Sequence, residues 1–287
     1  VVRGVRFGGF VAVAAAGLAT VLGGASVSAA SVARTPAVGA ATAPSGYVIE
    51  RASFTVSSSP NTAAGQASCP AGRVVWGGGV GWEDFYDNDT LNTSEFAGTS
   101  EWFATVNNPD TGSTTFRVDA ICAAKPKGYQ SASTLVDDPA GMQTTGSATC
   151  PSGTVLLSGS VLSHGDTNSQ YLTSEWPSST RTFKVSQENA GTSDAPFDVT
   201  VLCAKKPAGY TLVVAHTSAP PLQAGVPVAI CPSGTSVIGG GVHVATPQAL
   251  VNPTDSIDDN NRTAWLAWVE NGTAAAVAVS GYAICAA

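Results

Sequence analysis

The sequence predicts an all-β protein made of three tandem antiparallel β modules, each about 81 residues long, sandwich- or barrel-like and closed by one disulfide. A single pseudo-threefold β-prism is the alternative arrangement. Three observations predict this class: cysteines recurring at a fixed period, a turn-and-glycine text recurring with them, and short β-branched runs with no helical period.

The cysteines come first. Cys69, Cys150 and Cys231 share a spacing of 81, and Cys122, Cys203 and Cys285 are 81 and 82 apart. Around them the text agrees: Cys69-Pro-Ala-Gly, Cys150-Pro-Ser-Gly and Cys231-Pro-Ser-Gly open each unit, followed by Gly77-Gly78-Gly79, Ser158-Gly159-Ser160 and Gly239-Gly240-Gly241. Trp102, Phe183 and Trp265 follow, then Asn108, Asn189 and Asn271. A Gly-Tyr pair ending at Tyr47, Tyr129 and Tyr210 marks each start, so the repeats run 47–128, 129–209 and 210–287. If each unit closes on itself, the bridges are Cys69–Cys122, Cys150–Cys203 and Cys231–Cys285. In the chain-entropy model each is worth about 4 kcal/mol, a large contribution to a small sheet unit.

The strands follow from runs such as Trp102–Val106, Phe116–Ile121, Phe197–Leu202 and Val277–Tyr282, which alternate apolar and polar residues between turn clusters such as Asn107–Gly112. Five or six strands are expected per repeat. The triple glycine lies inside a strand pattern and opens no helix, so it predicts a bulge or a close backbone approach rather than a phosphate cradle.

The amino end reads as a secretory signal peptide over residues 1–30: Arg3 and Arg6, an apolar centre around Phe10–Leu18, and small residues at Val27–Ala30. Residues 31–46 read as a mobile leader. With no later window resembling a membrane span, the expectation is a released, extracellular protein without a membrane contact after cleavage. Six cysteines in such a compartment favour bridges over metal, and no C-x-x-C occurs.

The charged fraction is 11%, less than half the usual quarter, and the net charge is -7, which argues against a nucleic-acid partner. The three histidines, His164, His216 and His243, occupy unrelated positions, and no zinc-protease, nucleophile-elbow or P-loop motif is present. No cofactor and no metal ligand set is expected. Glu95 and Glu175 sit in matching text, Thr93-Ser-Glu95 and Thr173-Ser-Glu175, which suits an architectural role better than half of one asymmetric acid pair. What remains is the loop after the first glycines, where Trp82, Asp84, Phe85, Tyr86, Asp87 and Asp89 combine aromatic faces with carboxylates; these are the candidate glycan-binding residues.

The combination of Cys-Pro-x-Gly, Gly-Gly-Gly, an aromatic strand followed by Asn, and a terminal apolar-Cys-Ala resembles secreted actinobacterial proteins carrying one or more such modules. That resemblance implies an exported, β-rich protein and no particular activity. The Ala/Gly/Val/Thr bias also fits a high-GC bacterium. A looser likeness of the Cys-Pro-x-Gly repeats to threefold β-prism proteins of the vitelline membrane outer layer family implies one pseudo-symmetric body. The functional expectation is a non-catalytic envelope or matrix protein whose modules offer multivalent surfaces for polysaccharide or a cell-envelope component. A secreted hydrolase or hydrolase inhibitor is the alternative.

Overall fold

The computed structural model describes residues 43–59, 61–82, 89–165, 168–245, 251–257 and 262–287, with backbone alone at 82 and 251–256. The signal peptide and most of the leader lie outside these residues. Among the described residues there is no helix, and none therefore long and apolar enough to cross a membrane. Ala43–Gly46, assigned to the leader above, belong to the folded body: Ala43 packs on the core, and the Tyr47 N–H closes a turn on Pro44 O at 3.0 Å.

Repeat 1 supplies β1 (Val48–Val56), β2 (Thr62–Ser68), β3 (Val74–Trp82), β4 (Thr90–Ala97), β5 (Glu101–Asn107) and β6 (Thr114–Ala123). Repeat 2 supplies β7 (Gln130–Val136), β8 (Met142–Thr149), β9 (Val155–Ser163), β10 (Gln170–Pro177), β11 (Thr182–Asn189) and β12 (Phe197–Ala204). Repeat 3 supplies β13 (Thr211–Ala219), β14 (Gln223–Gly225), β15 (Val228–Ile230), β16 (Ser236–Val244), β17 (Val251–Ile257), β18 (Ala264–Asn271) and β19 (Val277–Ala286). Pro227, which has no N–H for a ladder, stands between β14 and β15, the two pieces of a strand that is continuous in the other repeats.

Strand pairing does not stop at the repeat boundaries. Sheet I has the order β1-β6-β3-β17-β18-β14, with β15 also on β18; sheet II is β2-β5-β4-β9-β12-β7; sheet III is β13-β19-β16-β10-β11-β8. Every repeat is thus divided between two sheets, and every sheet joins two repeats. The junctions are Asp255↔Val80, Ser94↔Val161 and Glu175↔Val242, in which the valines recur at the repeat period. The β3–β17 junction pairs the first repeat with the last. All the described residues fall within one compact unit.

The recurring text finds its physical reasons here. Each Cys-Pro-x-Gly is a turn whose glycine has a left-handed φ, at 80°, 81° and 83° for Gly72, Gly153 and Gly234, a conformation that penalises a Cβ. Trp76, Leu157 and Ile238 are the extra residues of a bulge that interrupts each third strand. The central residues Gly77, Ser158 and Gly239 then meet one another: a Cβ on Gly77 would lie 2.4 Å from Ile238 O and 3.2 Å from Ser158 Cβ, and one on Gly239 would lie 2.5 Å from Leu157 O. Beside them, Gly78, Gly159 and Gly240 lie directly under the Trp102, Phe183 and Trp265 rings, at 2.0–2.3 Å from a notional Cβ. Those rings come from the other sheet of the same repeat, so the glycines let the two halves of each repeat close on an aromatic plug.

Polar residues repeat for equally local reasons. Asn108, Asn189 and Asn271 are buried, and each amide donates to the end of the repeat's first strand or just beyond it and to its own loop, as in Asn189 Nδ2 to Asp138 O at 2.9 Å and to Ser193 O at 3.0 Å. The tyrosines at the repeat starts reach across repeats. Tyr129 Oη donates to Val75 O at 2.7 Å, Tyr210 Oη to Leu156 O at 2.8 Å and Tyr47 Oη to Val237 O at 2.6 Å, acceptors that also recur at the repeat period. Three disulfides complete the frame in the pairing expected from the period, Cys69–Cys122, Cys150–Cys203 and Cys231–Cys285, with Cα separations of 5.6–5.7 Å. Such bridges belong to an oxidising environment.

Candidate functional site: the outward face of sheet III

Of the expected glycan-binding loop, Trp82 ends β3 opposite Phe116, and Asp84, Phe85, Tyr86 and Asp87 lie outside the described residues. Asp89 is buried, with 3% of its surface exposed, rather than held out to solvent. Its burial pushes the carboxyl up to about 6.

The side chains that stand outward together lie elsewhere. On β16, Val242 and Val244 are buried and His243 between them is half-exposed, so His243 marks the outward face of sheet III. Register places Ser280 beside His243 on one side and His216 on the far side of Ser280. One row along, Lys184, Trp176, Gly241, Tyr282 and Val214 face the same way; Trp176 pairs with Lys184, Gly241 with Tyr282, and Tyr282 with Val214. Gly241 allows the repeat junction to close, since a Cβ there would lie 2.4 Å from Glu175 O and 2.8 Å from Trp176 Cα.

The cluster is built rather than scattered. The Trp176 and His243 rings pack with centroids 4.3 Å apart and planes tilted by 40°. His216 Nδ1 and Ser280 Oγ share a hydrogen bond of 2.9 Å. Burial, with Lys184 nearby, holds the His243 pKa below the usual histidine range, so its imidazole is neutral at pH 7. Burial raises the Tyr282 phenol, partly offset by a hydrogen bond with Ser280. The result is a platform of two aromatic residues on either side of a glycine, edged by imidazoles, a hydroxyl and an ammonium. It suits a ligand with an apolar ring face and a hydroxylated rim.

A second group lies on the outward face of sheet II. His164 Nε2 sits 2.9 Å from Asp198 Oδ2, and Glu95, held above the ordinary carboxylate range by burial and then by Asp198, stands on neighbouring β4. Glu175 is not its counterpart. The matching text aligns Glu95 with Glu175 at a spacing of 80, but the strand junctions align Ser94 with Glu175 at 81. A one-residue slip changes the side of a strand, and Glu175 is accordingly buried, with 4% exposed. On sheet I the corresponding face carries Asp119, buried but compensated by Arg117 Nε at 2.8 Å and Arg51 Nε at 3.5 Å.

His243 and Trp176 do not stand out as a pair in the sequence because they belong to different repeats and neither recurs. No protein-family model and no curated protein matches this chain.

Proposed function

We propose that the protein is a secreted, non-catalytic binder of polysaccharide in a cell envelope or extracellular matrix, built as one pseudo-threefold body of the β-prism kind, with the outward face of sheet III as its contact surface. The observation that carries this reading is the tilted Trp176–His243 ring contact across the junction of repeats 2 and 3, with Tyr282 beyond Gly241. Cyclic strand pairing and the meeting of Gly77, Ser158 and Gly239 support the single body. The three outward faces differ in chemistry, so this reading has one principal site in place of three equivalent ones.

The test is retention of the mature chain, residues 31–287, on insoluble polysaccharides and isolated cell walls. Trp176→Ala should weaken retention about tenfold, as expected when one aromatic platform worth about 1.4 kcal/mol is lost, with an unchanged melting temperature. Retention equal to the unsubstituted chain, or no retention of either protein on any polymer, would overturn it. The hydrolase alternative draws its support from the Glu95, Asp198 and His164 group; release of soluble sugar in the same fractions, abolished by Glu95→Gln, is its signature.

A further inference from the structure

Antiparallel pairing within each sheet, with a disulfide tying matching ends of the two sheets of each repeat, sends successive connections to opposite ends of the body. One end gathers the Cys-Pro-x-Gly turns, the β4–β5, β10–β11 and β17–β18 connections and the linkers between repeats. Backbone bonds hold the linkers there as neighbours: the Ala124 N–H donates to Ser45 O at 2.8 Å, the Lys205 N–H to Lys127 O at 2.8 Å and the Ala287 N–H to Ala208 O at 2.9 Å. The connections of this end hold seven cations, of which Lys125, Lys127, Lys205, Lys206 and Arg262 are exposed, and two acids, Asp258 and Asp259. Those of the opposite end hold nine acids and no lysine or arginine. From this segregation we infer that the basic end is a docking surface for a linear phosphate polyanion, a phosphodiester-linked polymer of the envelope.

The seven cations, with Arg73 and Arg181 completing the set, are all described residues, and none forms an ion pair with another described residue. Carbonyls and rings hold them instead. Lys205 Nζ donates to Gly153 O at 3.3 Å, the Arg181 guanidinium donates to Cys150 O, and the Lys125 and Arg262 charges stand 5.7 Å from the Tyr129 and Tyr47 ring centroids. Such contacts position a charge and leave it unneutralised. Leaving out Arg262 together with Asp258 and Asp259, which lie outside the described residues, six cations remain against no acid in these connections. On the adjoining strands Glu50 and Lys184, each two residues in, are of opposite sign, and Glu101 Oε1 accepts from Ser68 Oγ at 3.3 Å.

The acidic end does not cancel this field. Strands of up to 10 residues separate the two ends by about 30 Å at about 3.3 Å per residue, whereas the screening length at physiological salt is about 8 Å. A polymer at the basic end therefore senses the lysines, while the acidic end keeps the net charge negative and points away. Four of the exposed cations are lysines, which meet phosphate as point charges; forked pairing with carboxylate is a property of arginine. A cleft of about 300 Å³ at this end, lined by Val155, Thr180, Lys206, Tyr210, Thr211 and Leu212, brings an ammonium and two threonines around a space that a phosphate group fits. A second copy stacked through its acidic end is the less favoured partner, because Asp89 and Asp138 there are buried and withdrawn from contact. The envelope setting rests on the polysaccharide reading above; the charge segregation does not.

The experiment is a fluorescence-anisotropy titration of labelled polyphosphate with the mature chain, beside polygalacturonate of matched length. Polyphosphate should bind more tightly, and its affinity should fall about twentyfold from about 50 to about 150 mM NaCl if about four phosphates are met. Lys125→Gln, Lys127→Gln, Lys205→Gln and Lys206→Gln together should weaken binding about tenfold or more with an unchanged melting temperature, and the same four changed to arginine should keep it. Trp176→Ala should bind polyphosphate as the unsubstituted chain does while losing retention on neutral polysaccharide, so the two readings fail separately. Absence of binding at the lower salt, undiminished binding by the glutamine variant, or equal binding of polygalacturonate overturns the phosphate surface. So does sedimentation in which the unliganded chain self-associates through the same lysines, which assigns that end to a second copy.

Discussion

Gly78, Gly159 and Gly240 face inward, each beneath an aromatic ring, and any of the three could be exchanged for another without altering the description. The outward rows crossing the same strands share nothing of the kind: Phe103, Glu95, Ser160 and Thr200 on sheet II correspond to Lys184, Trp176, Gly241 and Tyr282 on sheet III. Inward positions are constrained by the ring that packs on them, whereas the outward rows lack that repeated contact. The repeated residues are therefore a record of closure, and the unrepeated outward ones are where a function specific to this protein would be written.

This contrast can be broken from the inward side. Gly77→Ala places a methyl 2.4 Å from the Ile238 carbonyl oxygen, a backbone atom that no side-chain rotation relieves. It should cost about 3 kcal/mol or more by overpacking, read as a lower midpoint in urea. Near-neutral behaviour would show that the centre is looser than the glycine contacts describe. Tyr129→Phe tests the cross-repeat bonds more gently: losing the hydroxyl that serves Val75 O should cost about 1 kcal/mol, and a triple change with Tyr47→Phe and Tyr210→Phe should add in proportion. The smallest effect has the opposite sign. Leu222 has φ 56°, where the matching turn of repeat 2 has Gly141 at 69°. Leu222→Gly should relieve left-handed strain of about 1 kcal/mol and raise the melting temperature slightly.

Closure also explains what could be read in advance. Period, disulfide pairing, strand content and the close approach at the glycines were all legible, because each is dictated within one repeat or by the arithmetic of three. The joining of strands from different repeats into one sheet was not, since Val80 in the first repeat and Asp255 in the third carry no mark of being neighbours. For the same reason, text pointed to the aromatic loop around Tyr86, while the Trp176–His243 pair exists only once β10 and β16 lie side by side. Glu95 and Glu175 show the finer limit: similar words one position out of step take opposite sides of a sheet. Asp89 reads as a surface acid in the text, and only the buried frame around it shows the charge to be enclosed.

The junction between β3 and β17 also fixes the count of repeats. A chain halted after its second repeat would present β3 and β10 as open edges, both inviting foreign strands, so the incomplete product is the aggregation-prone one. During synthesis the first repeat must wait for the last before its third strand is covered. By the same geometry, a lone repeat carries complementary edges that three separate copies could satisfy mutually, which makes a self-associating single unit a structurally sufficient ancestor for the fused chain.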